Sequence, residues 1–523
     1  MGKFSKTVGT LALASLLLTG CSSPSNNGSN TNTTGDGAST LTMAVAGTPP
    51  MLDTVLTTYT PTGWMMRNVV EGLVTSDSNY NIQPMLAEDW TVSDDGLAIT
   101  FTLRDGVTFH NGETMDADDV VASMQRWTDL SASGQSAIPG AVWSKDDDRT
   151  VTVTLQQRNP LLLLVMASGG NNVSAIYPAE IVEKYGSEPI DEFIGTGPYE
   201  LAEYKPDEIV KLTRFADYAN RSEAPDGLAG DRTPTYDEIE FVNVSDSQAR
   251  LGGAITGQYD VSIVERDHFE QVDSDPNLAA VLNWSGSLYL NYNKKAGPLA
   301  DVAVRQAANA ALGSEEIMQA VTSSPDLYDI RAGIMLREQE GLWKSDADAD
   351  SFNVDDSDLA QQMLADTGYA DEPVRILAQQ GDAGAKAAVV VQQQLERAGF
   401  TTDLSVIDST SYLTTRDIPE DWEILVAGMN SKLEPAAMAY FTPQFAGWTD
   451  DSKLTSVIND YRDSVSLDEA AEKYGDILSA YADYRVASKV ADWAEVLAVR
   501  NGLESAPIHD SQIVFWSVPL INE

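Results

Sequence analysis

A single cysteine among 523 residues, Cys21, rules out an intrachain disulfide. The three histidines, His110, His268 and His509, are scattered along the chain and cannot be argued into one metal shell. Beyond the first twenty residues no apolar run approaches the roughly eighteen residues of a membrane-spanning helix. The densest, "NPLLLLVMASGG", is short. Basic residues are scarce as well: 33 Lys and Arg stand against 79 Asp and Glu, a formal net charge of −46. Such a chain repels nucleic-acid phosphates. There is no G-x-S-x-G elbow, no H-E-x-x-H and no internal repeat, which argues against the familiar serine and zinc hydrolases and against a repeat-built adhesin. Paired carboxylates for glycoside hydrolysis stay open among so many acids.

What is present begins at the N-terminus. Lys3 and Lys6 precede an apolar run from Val8 to Leu18, which ends in small residues before Cys21. The run is too short for a mature span and reads as a secretory signal peptide over residues 1–20. "LTGC" resembles the bacterial lipobox, which makes Cys21 the expected lipidation site and the first residue of the mature chain. Residues 21–40, with "SSPSNNGSNTNTTGDGAST" after the cysteine, cannot bury enough apolar surface to order themselves and form an expected flexible linker. Such a tether holds a domain about 20–25 Å from the membrane on average.

The remaining residues, 41–523, are too many for one ordinary core, so two or three lobes in continuous contact are expected. Strand and helix patterns are mixed throughout, an α/β chain. The densest concentration of possible chemistry is "LRDGVTFHNGETMDADDVV", Leu103 to Val121. Upstream of it Leu97, Ile99, Phe101 and Leu103 alternate with small or polar residues, which predicts a half-buried strand. Val107 and Phe109 suggest a short return strand, and "HNGE" a turn. Asp116 is placed to cap a helix whose apolar face is Val120, Val121, Met124 and Trp127, with Asp118 and Asp119 in its first turn. Each of these acids therefore has a local structural reason. The role of His110 is left open. Val151, Val153 and Leu155 predict another strand, and residues 468–499 read as largely helical.

The segment "MLAEDWTVSDDGLAITFTLRDGVTFHNGETMDADDVVASMQRW" resembles the signature region of the extracellular solute-binding proteins of family 5, the oligopeptide, dipeptide and nickel group serving ABC importers. "NVVEGLV", "GTGPYEL", "LYLNYNKKAGPLADVAVRQAANAAL", "DLAQQMLADTGY" and "VVVQQQLERAGFTTDL" follow in the family's order. The resemblance implies a periplasmic-binding-protein-like fold of type II, cluster C, with two lobes, an inserted subdomain and a ligand cleft between the lobes. Its implied boundaries are 41–79, 191–287 and 504–523 for the first lobe, 80–190 for the insertion and 288–503 for the second lobe.

The implied activity is capture of a peptide or other small solute and delivery to an ABC permease with its cytosolic ATPase, without catalysis, cofactor or metal. The protein would be a monomer held on the extracytoplasmic face of the cell membrane by its lipid. Carried over segment by segment, the implied ligand-binding residues are Tyr59, Trp64, Thr196, Asn430, Lys432, Glu434, Phe441 and Trp448. The chain departs from peptide-binding relatives in one respect. Many of them place an aspartate after a Gly-Trp to meet the peptide ammonium, whereas Gly428 to Glu434 reads "GMNSKLE" here. Glu434 is one substitute partner. A neutral ligand such as an oligosaccharide stacked on Trp64, Phe441 and Trp448, or a carboxylate held by Lys432, are the alternatives.

Overall fold

The strand expected from alternation in "AITFTL" forms at Ala98–Leu103, with Ile99, Phe101 and Leu103 buried. The structure, a computed structural model, describes residues 39–168, 172–430, 432–503, 508–509 and 512–517. The signal peptide, Cys21 and nearly all of the linker lie outside the described residues.

Ala98–Leu103 pairs with Ala87–Val92 on one side and Thr150–Thr154 on the other, and Val142–Asp147 completes a four-stranded antiparallel sheet. The helix Ala117–Leu130 covers it, its residues Val120, Met124 and Trp127 joining Phe101 and Val151 in one core. Asp116 caps this helix by accepting from Asp118 N at 2.7 Å, while the Asp119 carboxylate accepts from Asp116 N at 2.9 Å. Asp119 also accepts from Ala179 N at 2.8 Å, so this carboxylate docks a second helix, Ala179–Tyr185. Between strand and helix the expected return strand shrinks to one bridge, Thr108 with Thr114, because the turn at Asn111-Gly112 reverses the chain immediately.

His110 bolts this subdomain to the turn at 195–197. Gly195 N can only donate, so His110 Nδ1 accepts from it at 3.2 Å and Nε2 carries the proton given to Gly197 O at 3.0 Å. The ring meets Phe215 edge-on, and burial pulls its pKa down to about 4, so it is neutral. A second tie is the buried ion pair of Arg126 with Asp53 at 2.7 Å. Asp53 also accepts from the backbone of Val55 and Ile190.

Among the described residues the large sheet has eleven strands, one of which, Tyr328–Asp329, pairs with Ala487–Arg500 outside the main order. Two long ones, Leu278–Tyr292 and Ala487–Arg500, run antiparallel through its middle and belong to both halves. Where they serve the first half they adjoin Val261–Val264, then Thr40–Val45, Glu238–Asn243, Ile209–Arg214 and Tyr199–Lys205. Where they serve the second half they adjoin Ile424–Asn430, then Val374–Gln379 and Thr402–Ile407. Separate cores form over the two halves, one around Met43, Phe241 and Tyr199, the other around Leu290, Ile376 and Val391. Residues 287 and 288 are thus neighbours within a single crossing strand. The described part of the C-terminus packs on the first half, Phe515 edge-on to Phe241 and Trp516 beneath the Arg232 guanidinium.

One expectation is corrected. Residues 468–499 are helical only through Tyr484, after which Ala487–Arg500 is strand. That strand is buried on both faces, so it shows no polar alternation and its composition does not separate it from a buried helix.

Candidate functional site

In open α/β sheets ligands lie outside the carboxyl ends of the parallel strands. Here the three parallel strands of the first half end at Val45, Asn243 and Val264, and those of the second half at Gln379, Ile407 and Asn430. Both sets converge on the middle of the crossing pair. Val264 pairs with Val496 and Asn430 with Gly286, on either side of Trp493. At that point Ser285 is skipped between the pairs Trp284–Ala494 and Gly286–Trp493, a bulge that bends the ribbon where the halves meet.

Two tryptophan faces mark this junction. Trp493 is nearly enclosed, and its indole occupies the space over Gly428 and Gly286. A Cβ on Gly286 would stand 2.5 Å from Met429 O and 3.0 Å from Trp493 Nε1. The Arg266 guanidinium, from the turn after Val264, lies 4.7 Å from the Trp493 ring and donates through Nε to Ala494 O at 2.8 Å. Arg337 covers Trp284 in the same way at 5.1 Å.

A charged layer lies beside them. Asp492 is fully buried, accepting from Ser287 Oγ and from Lys489 Nζ at 2.8 Å, with Arg331 Nη1 3.6 Å away. Lys489 donates also to Gly333 O, and burial lowers its pKa against the pull of Asp492. Glu338 keeps 37% of its side chain exposed yet is hemmed in by protein. That desolvation raises its pKa to about 7, opposed by Arg337. Burial likewise raises the pKa of Glu495. The junction therefore carries cations and carboxylates in two groups, Arg331, Arg337, Glu338, Lys489 and Asp492 in one, Arg266 and Glu495 in the other.

The residues singled out by the sequence are distributed unevenly. Asn430 is exposed at its strand end, opposite Gly286. Lys432 is half-buried; its carbonyl accepts from Gln339 Nε2 at 2.7 Å, and it makes no ion pair with a described residue. Glu434 turns inward, accepting from Ala436 N at 2.7 Å and Tyr461 Oη at 3.0 Å, which occupies the carboxylate otherwise available to a ligand ammonium. Burial raises its pKa. Phe441 lies in an aromatic core, edge-on to Tyr440 at 5.0 Å. Trp448 stacks on Trp422 at 5.5 Å with Lys295 above its ring.

In the first half Tyr59 is 42% exposed at the start of helix Thr60–Met66, beside a recess bounded by Thr57 and Asn172. Trp64 is buried in the core. Thr196 is buried and donates to Glu71 at 2.9 Å, whose carboxylate also receives Tyr218 and Arg232. Sequence reasoning missed Trp493, Arg266, Trp284 and Arg337. The available signal was glycine inside apolar strands, at 286 and 428, which marks close approach of another group.

The halves touch in this structure. Leu161 and Leu164 join the second-half cluster of Tyr289, Met335 and Trp343, and a Cβ on Gly341 would stand 3.2 Å from Asn79 O. Among the described residues no helix is long and apolar enough to cross a membrane, and no group of three or more His, Cys, Asp or Glu side chains could hold a metal ion.

Comparison with known proteins places this architecture. The sequence profile of the middle region of bacterial extracellular solute-binding proteins, family 5, matches residues 81–452. A probable peptide ABC transporter periplasmic-binding protein of Sinorhizobium fredii is 28% identical over 69% of this chain and 66% of its own length. Heme-binding protein A of Haemophilus influenzae is 29% identical over 69% of this chain and 68% of its own. Among solved structures, an ABC transporter substrate-binding protein of Listeria monocytogenes superposes with a TM-score of 0.78 at 22% identity, covering 91% of this chain and 98% of that one.

Proposed function

Because this chain belongs to family 5 of the bacterial extracellular solute-binding proteins, we propose that it is the ligand-capturing subunit of an ABC importer that binds peptides between its two lobes. The carrying observation is the convergence of both sets of strand ends on a junction that carries cations and carboxylates. A peptide with free termini brings one charge of each sign. Arg266 and Arg337 suit its carboxylate, and Glu338 and Glu495, both desolvated, gain from its ammonium. The oligosaccharide reading is weaker, since Trp284 and Trp493 each have a ring face covered by a guanidinium.

Capture without chemistry follows from lobe closure. A ligand touching both halves shifts the open–closed equilibrium by its differential affinity for the closed form, and the closed face docks on the permease. The protein acts as a monomer, tethered through lipidated Cys21 and its linker to the extracytoplasmic membrane face. The domain limits 41–79, 191–287 and 504–523, 80–190, and 288–503 describe the moving parts, with the crossing strands Leu278–Tyr292 and Ala487–Arg500 shared between them. Tyr59, Asn430 and Lys432 line the ligand path.

The test is a thermal-shift screen of the full chain against peptides of graded length, oligosaccharides, nickel and haem, with calorimetry on every hit. Linkage gives about 2.7 kcal/mol of stabilisation at a hundredfold excess over Kd. Stabilisation by peptides supports the reading; stabilisation by sugars, nickel or haem with none by peptides overturns it.

A further inference from the structure

The edges that meet at the crossing strands both carry carboxylates. After Val264 the first half presents Glu265, Arg266, Asp267 and His268. Facing it, Asp382 starts the helix Ala383–Arg397, which carries Lys386 near its beginning. The carboxylates of Glu495, Glu265, Asp382 and Asp267 all act on Arg266, opposing the fall in pKa that its burial causes. Bringing these edges together sets Glu265 and Asp267 against Asp382, in a chain with more than two acids for every base. Unneutralised, that approach is repulsive.

Two cations answer it. Lys386 Nζ reaches Asp267 Oδ2 at 3.8 Å, from the second half to the first. Arg266, the adjacent residue, lies on Trp493 and is hydrogen-bonded to Ala494 O, both on the crossing strand. Neither Lys386 nor Asp267 contributes to a core: their side chains are 54% and 69% exposed.

We propose that Lys386 and Asp267 form an electrostatic clasp between the halves, with Arg266 positioning the loop that carries the aspartate, so that charge at this edge sets how readily the protein closes. The inference rests on the closure reading above but on no particular ligand. An exposed pair shifts such an equilibrium by about two- to five-fold, and the shift is screened as salt rises.

Small-angle scattering of the ligand-free full chain tests it, at about 20 mM and about 500 mM salt, between which the Debye length shrinks from roughly 20 Å to roughly 4 Å. Lys386→Glu and Asp267→Lys each replace attraction with repulsion; exposure of both sites leaves folding intact, checked by thermal melting. Each single reversal should increase the radius of gyration at low salt, and the double reversal should return it to the wild-type value. Singles that scatter as the wild type overturn the proposal. Singles that expand with no recovery in the double overturn it too, since net charge alone would then be responsible. A failed ligand screen leaves this measurement standing, which separates it from the peptide reading.

Discussion

A side chain at Gly428 and the indole of Trp493 exclude one another, for a Cβ on Gly428 would stand 2.2 Å from Trp493 Cη2 and 2.4 Å from Cζ2. The tryptophan comes from a crossing strand and the glycine from the second half, so the contact fixes how that half seats on the ribbon. Gly428→Ala should cost about 1–3 kcal/mol through overpacking, measured by urea unfolding. Trp493→Ala should cost about 3–5 kcal/mol through the cavity it leaves. Loss of less than about half a kcal/mol in both variants would show that the indole is not held there.

His110 predicts a pH dependence. Its pKa is depressed to about 4 in the folded protein, against about 6.5 when unfolded. Between those values the unfolded chain binds the extra proton, so this residue makes stability fall as pH drops from 6.5 to 4 and contributes no slope above 6.5. The loss is about 3 kcal/mol at most. His110→Gln should lower stability at pH 7 and flatten the slope relative to wild type between pH 4 and 6.5. Parallel pH profiles for the two proteins would contradict the assignment.

The buried pair of Asp53 and Arg126 should respond asymmetrically. Asp53→Ala leaves a guanidinium buried with only carbonyl partners, at a cost of about 3–5 kcal/mol in denaturant unfolding. Because Asp53 also receives Ile190 N, the insertion should loosen at that end, seen as faster amide exchange at Ile190.

Anchoring is checked at one atom. Cys21→Ala should move the protein from the detergent phase to the aqueous phase in phase partitioning, with unchanged melting of the folded part. Continued detergent partitioning would exclude lipidation at Cys21.

What could be read from the sequence was local. The Ile99, Phe101, Leu103 alternation and the Asp116 cap depend on neighbours within a few residues, and both form as expected. The family's motif order carried the fold class, since it encodes long-range topology that periodicity does not. The fate of Glu434 was decided by Tyr461, on a helix that packs back across the same face, and no spacing rule reports that contact. Trp493 was hidden in a doubly buried strand, where the absence of alternation erased its direction. The role of His110 was out of reach for a similar reason: it acts through two backbone groups 85 and 87 residues away.

The joint between the halves is a pair of hydrogen-bonded strands with one residue skipped on each, Ser285 and Val490, rather than two loose loops. Its backbone is already ordered, so the closure proposed above would freeze few additional dihedral angles there. A loop joint would lose roughly 1–2 kcal/mol for every residue it had to order. The entropy of closing is thus met at folding, and contacts made with a captured molecule go into retaining it.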